Sequence, residues 1–232
     1  MAEDGTVLER PAFETRRREQ AKRERRERIV DAACDLLRDV GVESLSMKMV
    51  ADRARVSQST VYNLYGSKQA VLAAVFDRDL IRYGRLVAAA PSSNALERIF
   101  DSVDIAADLY RDDPDFYRAT MWGFMGGPES FLNVALRAPR VRFWRGMIAQ
   151  AVEAGHLRAD ADPAVLSALV VHIFDGVLAD WIRGDITVEQ LRAEAKFGFA
   201  VALGAFASDP DRARLRQRAD ALHEALRAWR RG

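Results

Sequence analysis

The sequence predicts an all-α fold with a small N-terminal three-helix domain and a larger C-terminal helical domain. Three observations carry this. Apolar residues recur at steps of three and four through every long segment, and no stretch alternates as a half-buried strand does. Helix punctuation repeats along the chain: Ser46, Ser57, Asp113, Asp162 and Thr187 stand in capping positions, with Pro114 and Pro163 at first helical positions. Between Ser46 and Gly66 two short helices meet at a tight turn.

With 232 residues and a net charge of +1, the chain is long enough for two domains and is not basic throughout. Local charge says more, because Arg16 to Arg28 holds eight basic and three acidic residues. A single cysteine, Cys34, excludes an internal disulfide framework and sits among apolar neighbours, which predicts a buried, inert thiol. No apolar run is expected to reach the length of roughly eighteen residues that spans a membrane, and the N-terminus lacks an apolar signal core. The expected location is the cytoplasm.

Residues 1–15 contain Gly5 and Pro11 without an apolar period and read as a disordered lead. The predicted DNA-binding domain covers 16–72. Its first helix starts as a charged arm whose Arg and Lys side chains are suited to neutralising phosphates, gains apolar residues from Ile29 onward, and stops at Gly41. Ser46 caps a second helix from Met47, with Leu45 and Val50 as the flanking apolar pair. Ser57 caps a third from Gln58, flanked by Val56 and Val61. At about 100° per residue, Val61 and Leu64 face inward while Ser59 and Asn63 point outward, with Thr60 and Tyr62 beside them. A short helix with a small, polar and aromatic outer face suits a DNA major groove. Gly66 ends it, and Ser67 caps the next helix, whose first residue is Lys68. A cation beside exposed N-terminal amides predicts a shared anion such as phosphate.

The run Val50-Ala51, Ala54-Arg55-Val56-Ser57, Thr60-Val61-Tyr62, Tyr65 and Ser67-Lys68 resembles the DNA-binding domain of TetR/AcrR-type transcriptional regulators. The resemblance covers roughly residues 24 to 72. It implies that Gln58, Ser59 and Asn63 approach base edges while Thr60, Tyr62 and Lys68 hold phosphates; Lys48 completes the candidate DNA-binding set. One departure stands out. Arg55 occupies the turn position where the family usually has glycine, which costs on the order of 1 kcal/mol if the residue is left-handed.

Residues 73–208 form the predicted ligand-binding and dimerisation domain. A helix from Lys68 to Ala90 carries a broad apolar stripe; in the resembling family it links the two domains. Helices follow from Asn94 to Tyr110, from Pro114 to near Gly126, and over 129–154, the last expected to bend or divide at Pro139. Pro163 opens a helix whose stripe, from Val165 through Trp181, is too wide for one neighbour. Thr187 caps another to about Ala207, with Ala195, Gly198, Ala202 and Ala205 on one line that permits close approach. By resemblance these last two helices are the candidates for a four-helix homodimer interface. Residues 209–232 add an amphipathic helix with a seam of Leu215, Ala219, Leu222, Leu226 and Trp229, able to pack on its own subunit or a partner.

Aromatic and methionine residues are dense between 100 and 181 and suit an apolar cavity between helices. Met121, Trp122, Met125 and Phe143 are the candidate ligand-lining residues, with Asp104 and His172 as candidate orienting groups. The three histidines are far apart and no pair has zinc spacing, so no metal site is expected. Gly126-Gly127 reads as a turn, and no nucleophile stands in a recognisable catalytic context, so neither a cofactor nor an enzyme is expected. The expected function is a sequence-specific transcriptional regulator, a repressor by resemblance. Its expected partners are a palindromic double-stranded operator, a second copy of itself and a small apolar or aromatic ligand. The alternative is a DNA-binding dimer controlled by a protein partner.

Overall fold

The computed structural model describes residues 9–125 and 131–231, with side-chain surroundings for 15–122 and 138–231. Among these residues there are helices and no strand, apart from an isolated antiparallel bridge between Leu157 and Ala207. The chain divides into two compact units, Met1–Val75 and Phe76–Gly232.

The first unit contains α1 (Glu9–Ser44), α2 (Met47–Ala54), α3 (Gln58–Tyr65) and the start of α4 (Lys68–Ala89). Helix α1 begins earlier than expected, since residues 9–15, read from sequence as part of a disordered lead, are helical; residues 1–8 lie outside the described chain. At Gly41 (φ 73°, ψ 175°) the helix breaks, a conformation glycine adopts without steric cost. Helices α1 to α3 enclose a core that includes Ile29, Leu37, Leu45, Val50 and Val61, with Val71 of α4. Cys34 is part of it and is buried.

The second unit contains the rest of α4, α5 (Ala95–Asp112), α6 (Pro114–Met125), α7 (Phe131–Glu153), α8 (Pro163–Arg183), α9 (Val188–Gly204) and α10 (Asp209–Trp229). Caps set many of the starts. Asn94 Oδ1 accepts from Glu97 N at 2.8 Å, Asp162 Oδ1 from Ala164 N at 2.7 Å, and Thr187 forms a reciprocal capping box with Gln190. Pro139 neither bends α7 into two elements nor ends it: one helix runs through it. The ring removes one backbone donor, and a helix otherwise continuous on both sides and packed against α5 and α8 tolerates that loss.

Helix α8 corrects the expectation about apolar runs. An 18-residue window within it has a mean hydropathy of 1.7, which by length and composition suffices to cross a membrane. Here it packs between α7 and α9, with Leu166, Val170, Phe174, Leu178 and Trp181 buried. The α8–α9 approach is close. A Cβ at Gly198 would lie 2.6 Å from Ile173 Cγ2, so the small residue serves packing within the chain. Helix α10 packs on α9 of its own chain: Leu215 is 1% exposed, the Phe197 and His223 rings stack at 6.0 Å, and Arg218 lies 4.1 Å from the Phe100 ring centroid.

Candidate nucleic-acid interface and inner cavity

The turn between α2 and α3 is built from backbone and hydroxyl groups. Ser46 Oγ accepts from Met49 N at 3.2 Å, and Ser57 Oγ accepts from Thr60 N at 3.1 Å. Arg55 adopts φ 54°, ψ 49°, the one described non-glycine residue with positive φ, and closes α2 through bonds from its own N–H and from Val56 N to Ala51 and Asp52 carbonyls. The chain therefore makes a glycine-type turn with arginine.

Helix α3 is anchored by Val61, which is fully buried, and it presents Gln58, Ser59, Tyr62 and Asn63 to solvent. Tyr62 is 47% exposed, a large ring held outside the core. Lys48 of α2 is exposed as well. Thr60 is half-buried, and its hydroxyl lies 2.7 Å from that of Ser57, which also meets Ser59 Oγ at 2.9 Å. Lys68 is half-buried at the start of α4. Its Nζ donates to the Glu43 carbonyl at 3.3 Å, and burial lowers its pKa against the opposing pull of the Glu43 carboxylate.

One element of this surface escaped the sequence reading. Arg26 of α1 donates to the Leu64 carbonyl at 3.1 Å, Tyr65 Oη donates back to the Arg26 carbonyl at 3.2 Å, and the guanidinium lies 5.3 Å from the Tyr65 ring centroid. This clasp fixes the C-terminal end of α3 against α1 and supplies a cation to its last carbonyls.

Within the second unit, α4 to α8 surround an aromatic cavity. Phe76 and Leu80 of α4, Met121 of α6, Phe143 and Trp144 of α7 and Phe174 of α8 form apolar wall. The Phe143 ring lies 5.1 Å from Tyr83 and 5.6 Å from Trp144, so the wall is continuous. The cavity is partly open at its boundary, and the free space within its walls is about 60 Å³. Typical ligand pockets have several hundred, so a larger guest has to displace wall. Polar groups reach the cavity from Asp79, Tyr83, Tyr110, Tyr117 and Arg140. Burial raises the pKa of the Asp79 carboxyl, against a hydrogen bond from Tyr117 and the nearby Arg82 and Arg78, and with Asp113 reinforcing the rise.

Of the residues expected to line such a cavity, Met121 and Phe143 are in its wall. Three others are placed elsewhere. Trp122 is 47% exposed, one helical step from Met121 and turned to solvent. Asp104 sits in an ion-pair ladder between α5 and α9, 2.5 Å from Lys196 Nζ and 3.6 Å from Arg192 Nε, while Arg192 also reaches Asp108 at 2.5 Å. His172 is exposed on the outer side of α8, on the line of Val165 and Leu169. The Met125 side chain lies outside the described residues.

Residues 29–75 match the family model described as "Bacterial regulatory proteins, tetR family". The HTH-type transcriptional repressor KstR of Rhodococcus jostii (strain RHA1) is 33% identical over 105 residues, 45% of this chain and 50% of that protein. The match thus spans about half the length of this curated relative. Among solved structures, Thermus thermophilus FadR, a repressor in complex with lauroyl-CoA, superposes with a TM-score of 0.61 at 20% identity, covering 79% of this chain and 96% of that one. RolR in complex with the ligand resorcinol gives 0.63 at 16% identity, covering 86% and 95%. At these identities the two structures establish the shared fold.

Proposed function

Taking the tetR-family domain over residues 29–75 as the premise, we propose that the chain is a sequence-specific DNA-binding repressor. It acts as a cytoplasmic homodimer and leaves its operator when a small, largely apolar ligand binds. The outer face of α3 carries the reading: a buried Val61 holds the helix while Gln58, Ser59, Tyr62 and Asn63 stand exposed on its other sides. Side chains of this kind supply amide and hydroxyl donors for base edges and phosphates in a major groove. Lys48, Thr60 and Lys68 flank that face and are assigned to the backbone. Dimerisation is assigned to α8 and α9, where Val165, Leu169 and Val201 are apolar and 64%, 42% and 56% exposed. The ligand is assigned to the aromatic cavity lined by Met121 and Phe143.

Selection of bound duplexes from a random pool tests the reading, with a Tyr62→Ala, Asn63→Ala variant in parallel. Wild-type protein should enrich a two-fold-symmetric site with half-sites about 34 Å apart, one helical turn of DNA, and the variant should not. On that site, removing the exposed cations Arg18, Lys22 and Arg25 of α1 should flatten the salt dependence by about 0.9 in log–log slope for each phosphate no longer neutralised. Failure of the wild type to enrich any sequence at moderate salt would remove α3 as a recognition helix.

A further inference from the structure

Ahead of Ile29, α1 is a helix without a core. From Thr15 to Arg28 every side chain is exposed except that of Ala21, which is half-buried and is also the one aliphatic residue of the stretch. The arm therefore has no apolar face to lay on a membrane or in a groove of another protein. What it has is charge, with eight basic and three acidic residues between Arg16 and Arg28. Gln20 Nε2 donates to Glu24 Oε1 at 2.9 Å, but among the described residues Arg18, Lys22 and Arg25 make no ion pair. Spaced four and three apart, these three cations share one helix face, where they repel one another and weaken the helix that carries them. A line of negative charge outside the protein removes that penalty.

The clasp between α1 and α3 sets where the arm begins. Arg26 donates to the Leu64 carbonyl and accepts, at its own carbonyl, from the Tyr65 hydroxyl, so the arm leaves the first unit at the C-terminal end of α3. From Arg26 back to Thr15 it runs about 16 Å at 1.5 Å per residue, the length of about five base pairs at 3.4 Å each. We propose that the arm is a second DNA contact, lying on the duplex that adjoins each half-site, beyond the base pairs α3 reads, with Arg18, Lys22 and Arg25 on its phosphates. A helix about 10 Å wide does not enter a minor groove about 6 Å wide, so the arm rests on the backbone and adds affinity without sequence preference. Arg26 is a positioning residue. Its guanidinium is engaged with Leu64 and the Tyr65 ring, which makes arm and recognition helix approach the DNA as one body.

This proposal rests on α3 being the recognition helix, and one footprint separates the two. The probe is a long duplex carrying at its centre the site that the full chain enriches from a random pool, cleaved by hydroxyl radicals with and without protein. Wild type should protect the two half-sites and, adjoining each, a further run of about five base pairs. The Arg18→Gln, Lys22→Gln, Arg25→Gln variant changes only exposed positions and keeps good helix formers, so it should melt like wild type. It should keep the half-sites and lose the adjoining runs. Its log–log salt slope should be shallower by about 0.9 for each phosphate released, so that for three phosphates wild type loses about 40-fold more affinity than the variant between about 50 and 200 mM salt. A second variant, Arg18→Lys with Arg25→Lys, keeps the charge and should keep the runs. Adjoining runs that are absent from wild type or persist in the Gln variant, or an unchanged salt slope, would overturn the arm contact while leaving α3 in place. Loss of the half-sites together with the runs in the Gln variant would put the three cations inside the half-site and overturn the flanking assignment. A wild type that protects no site would overturn the recognition-helix reading and the arm with it.

Discussion

Replacing Gly198 by alanine sets two effects of opposite sign against each other. Inside an exposed helix the change should stabilise by about 1 kcal/mol, because glycine is the weaker helix former. Here the new methyl would lie 2.6 Å from Ile173 Cγ2 and 3.6 Å from its Cδ1. The Cγ2 atom is attached directly to a branched Cβ whose χ1 is restricted in a helix, so it has no easy route out of the way. Overpacking of this kind costs about 1 to 3 kcal/mol. The net expectation is destabilisation of about 1 kcal/mol, or about 2 to 4 °C in melting temperature for a chain of this size. The assay is thermal or urea unfolding of four proteins: wild type, Gly198→Ala, Ile173→Ala and the double variant. In the Ile173→Ala background the clash is gone, and Gly198→Ala should then stabilise. A coupling of about 1 kcal/mol or more between the sites follows. Gly198→Ala that stabilises the wild-type background, or a coupling near zero, would refute the argument that α8 and α9 are held together at this point.

Two further outcomes follow from local geometry. Arg55→Gly removes a left-handed strain of about 1 to 2 kcal/mol and adds about 0.5 to 1 kcal/mol of unfolded-chain freedom, so a small rise in melting temperature is expected; a fall would contradict it. Asp211 is 2% exposed; burial raises its pKa, but hydrogen bonds involving His156 (2.9 Å), Arg214 and Ser208 (3.0 Å) outweigh burial and leave the carboxyl below its usual value. A depressed carboxyl adds stability that is full above its unfolded pKa of about 3.9 and is lost as pH falls through the folded value. Asp211→Asn should therefore cost about 1 to 3 kcal/mol in melts at neutral pH and progressively less in acid, and a cost independent of pH would contradict the assignment.

What could be read from sequence was local. Ser46, Ser57, Asp162 and Thr187 cap helices within three residues of themselves, and Gly41, Gly66 and Gly184 stop them, so most of the helix starts were placed within a few residues. Phase was harder. Along α8 the apolar residues cover so much of the circumference that period alone does not say which side faces inward, and His172 falls on the outer side with Val165 and Leu169. Asp104 and Asp108 did carry a usable signal, since Arg192 and Lys196 repeat their spacing with opposite charge on another helix. The polar end of the cavity carried none. Asp79, Tyr83, Tyr110, Tyr117 and Arg140 come from four helices, each an ordinary residue in its own segment.

The same cavity bears on how binding could be felt by α4. Two polar ties hold this helix at the cavity: Tyr83 Oη to the Ser102 carbonyl of α5, and Asp79 to the Tyr117 hydroxyl of α6. A guest too bulky for the free space of about 60 Å³ displaces wall, and Phe76, Leu80 and Tyr83 of α4 are part of that wall. That displacement falls on the helix whose first turns, from Lys68 to Val75, belong to the first unit, the one proposed to bind DNA. Operator release needs a coupling of only about 1 to 3 kcal/mol, the scale of one exchanged hydrogen bond and a modest repacking. On this reading the ligand need not be large or tightly bound to act, provided that it binds where α4 is tied.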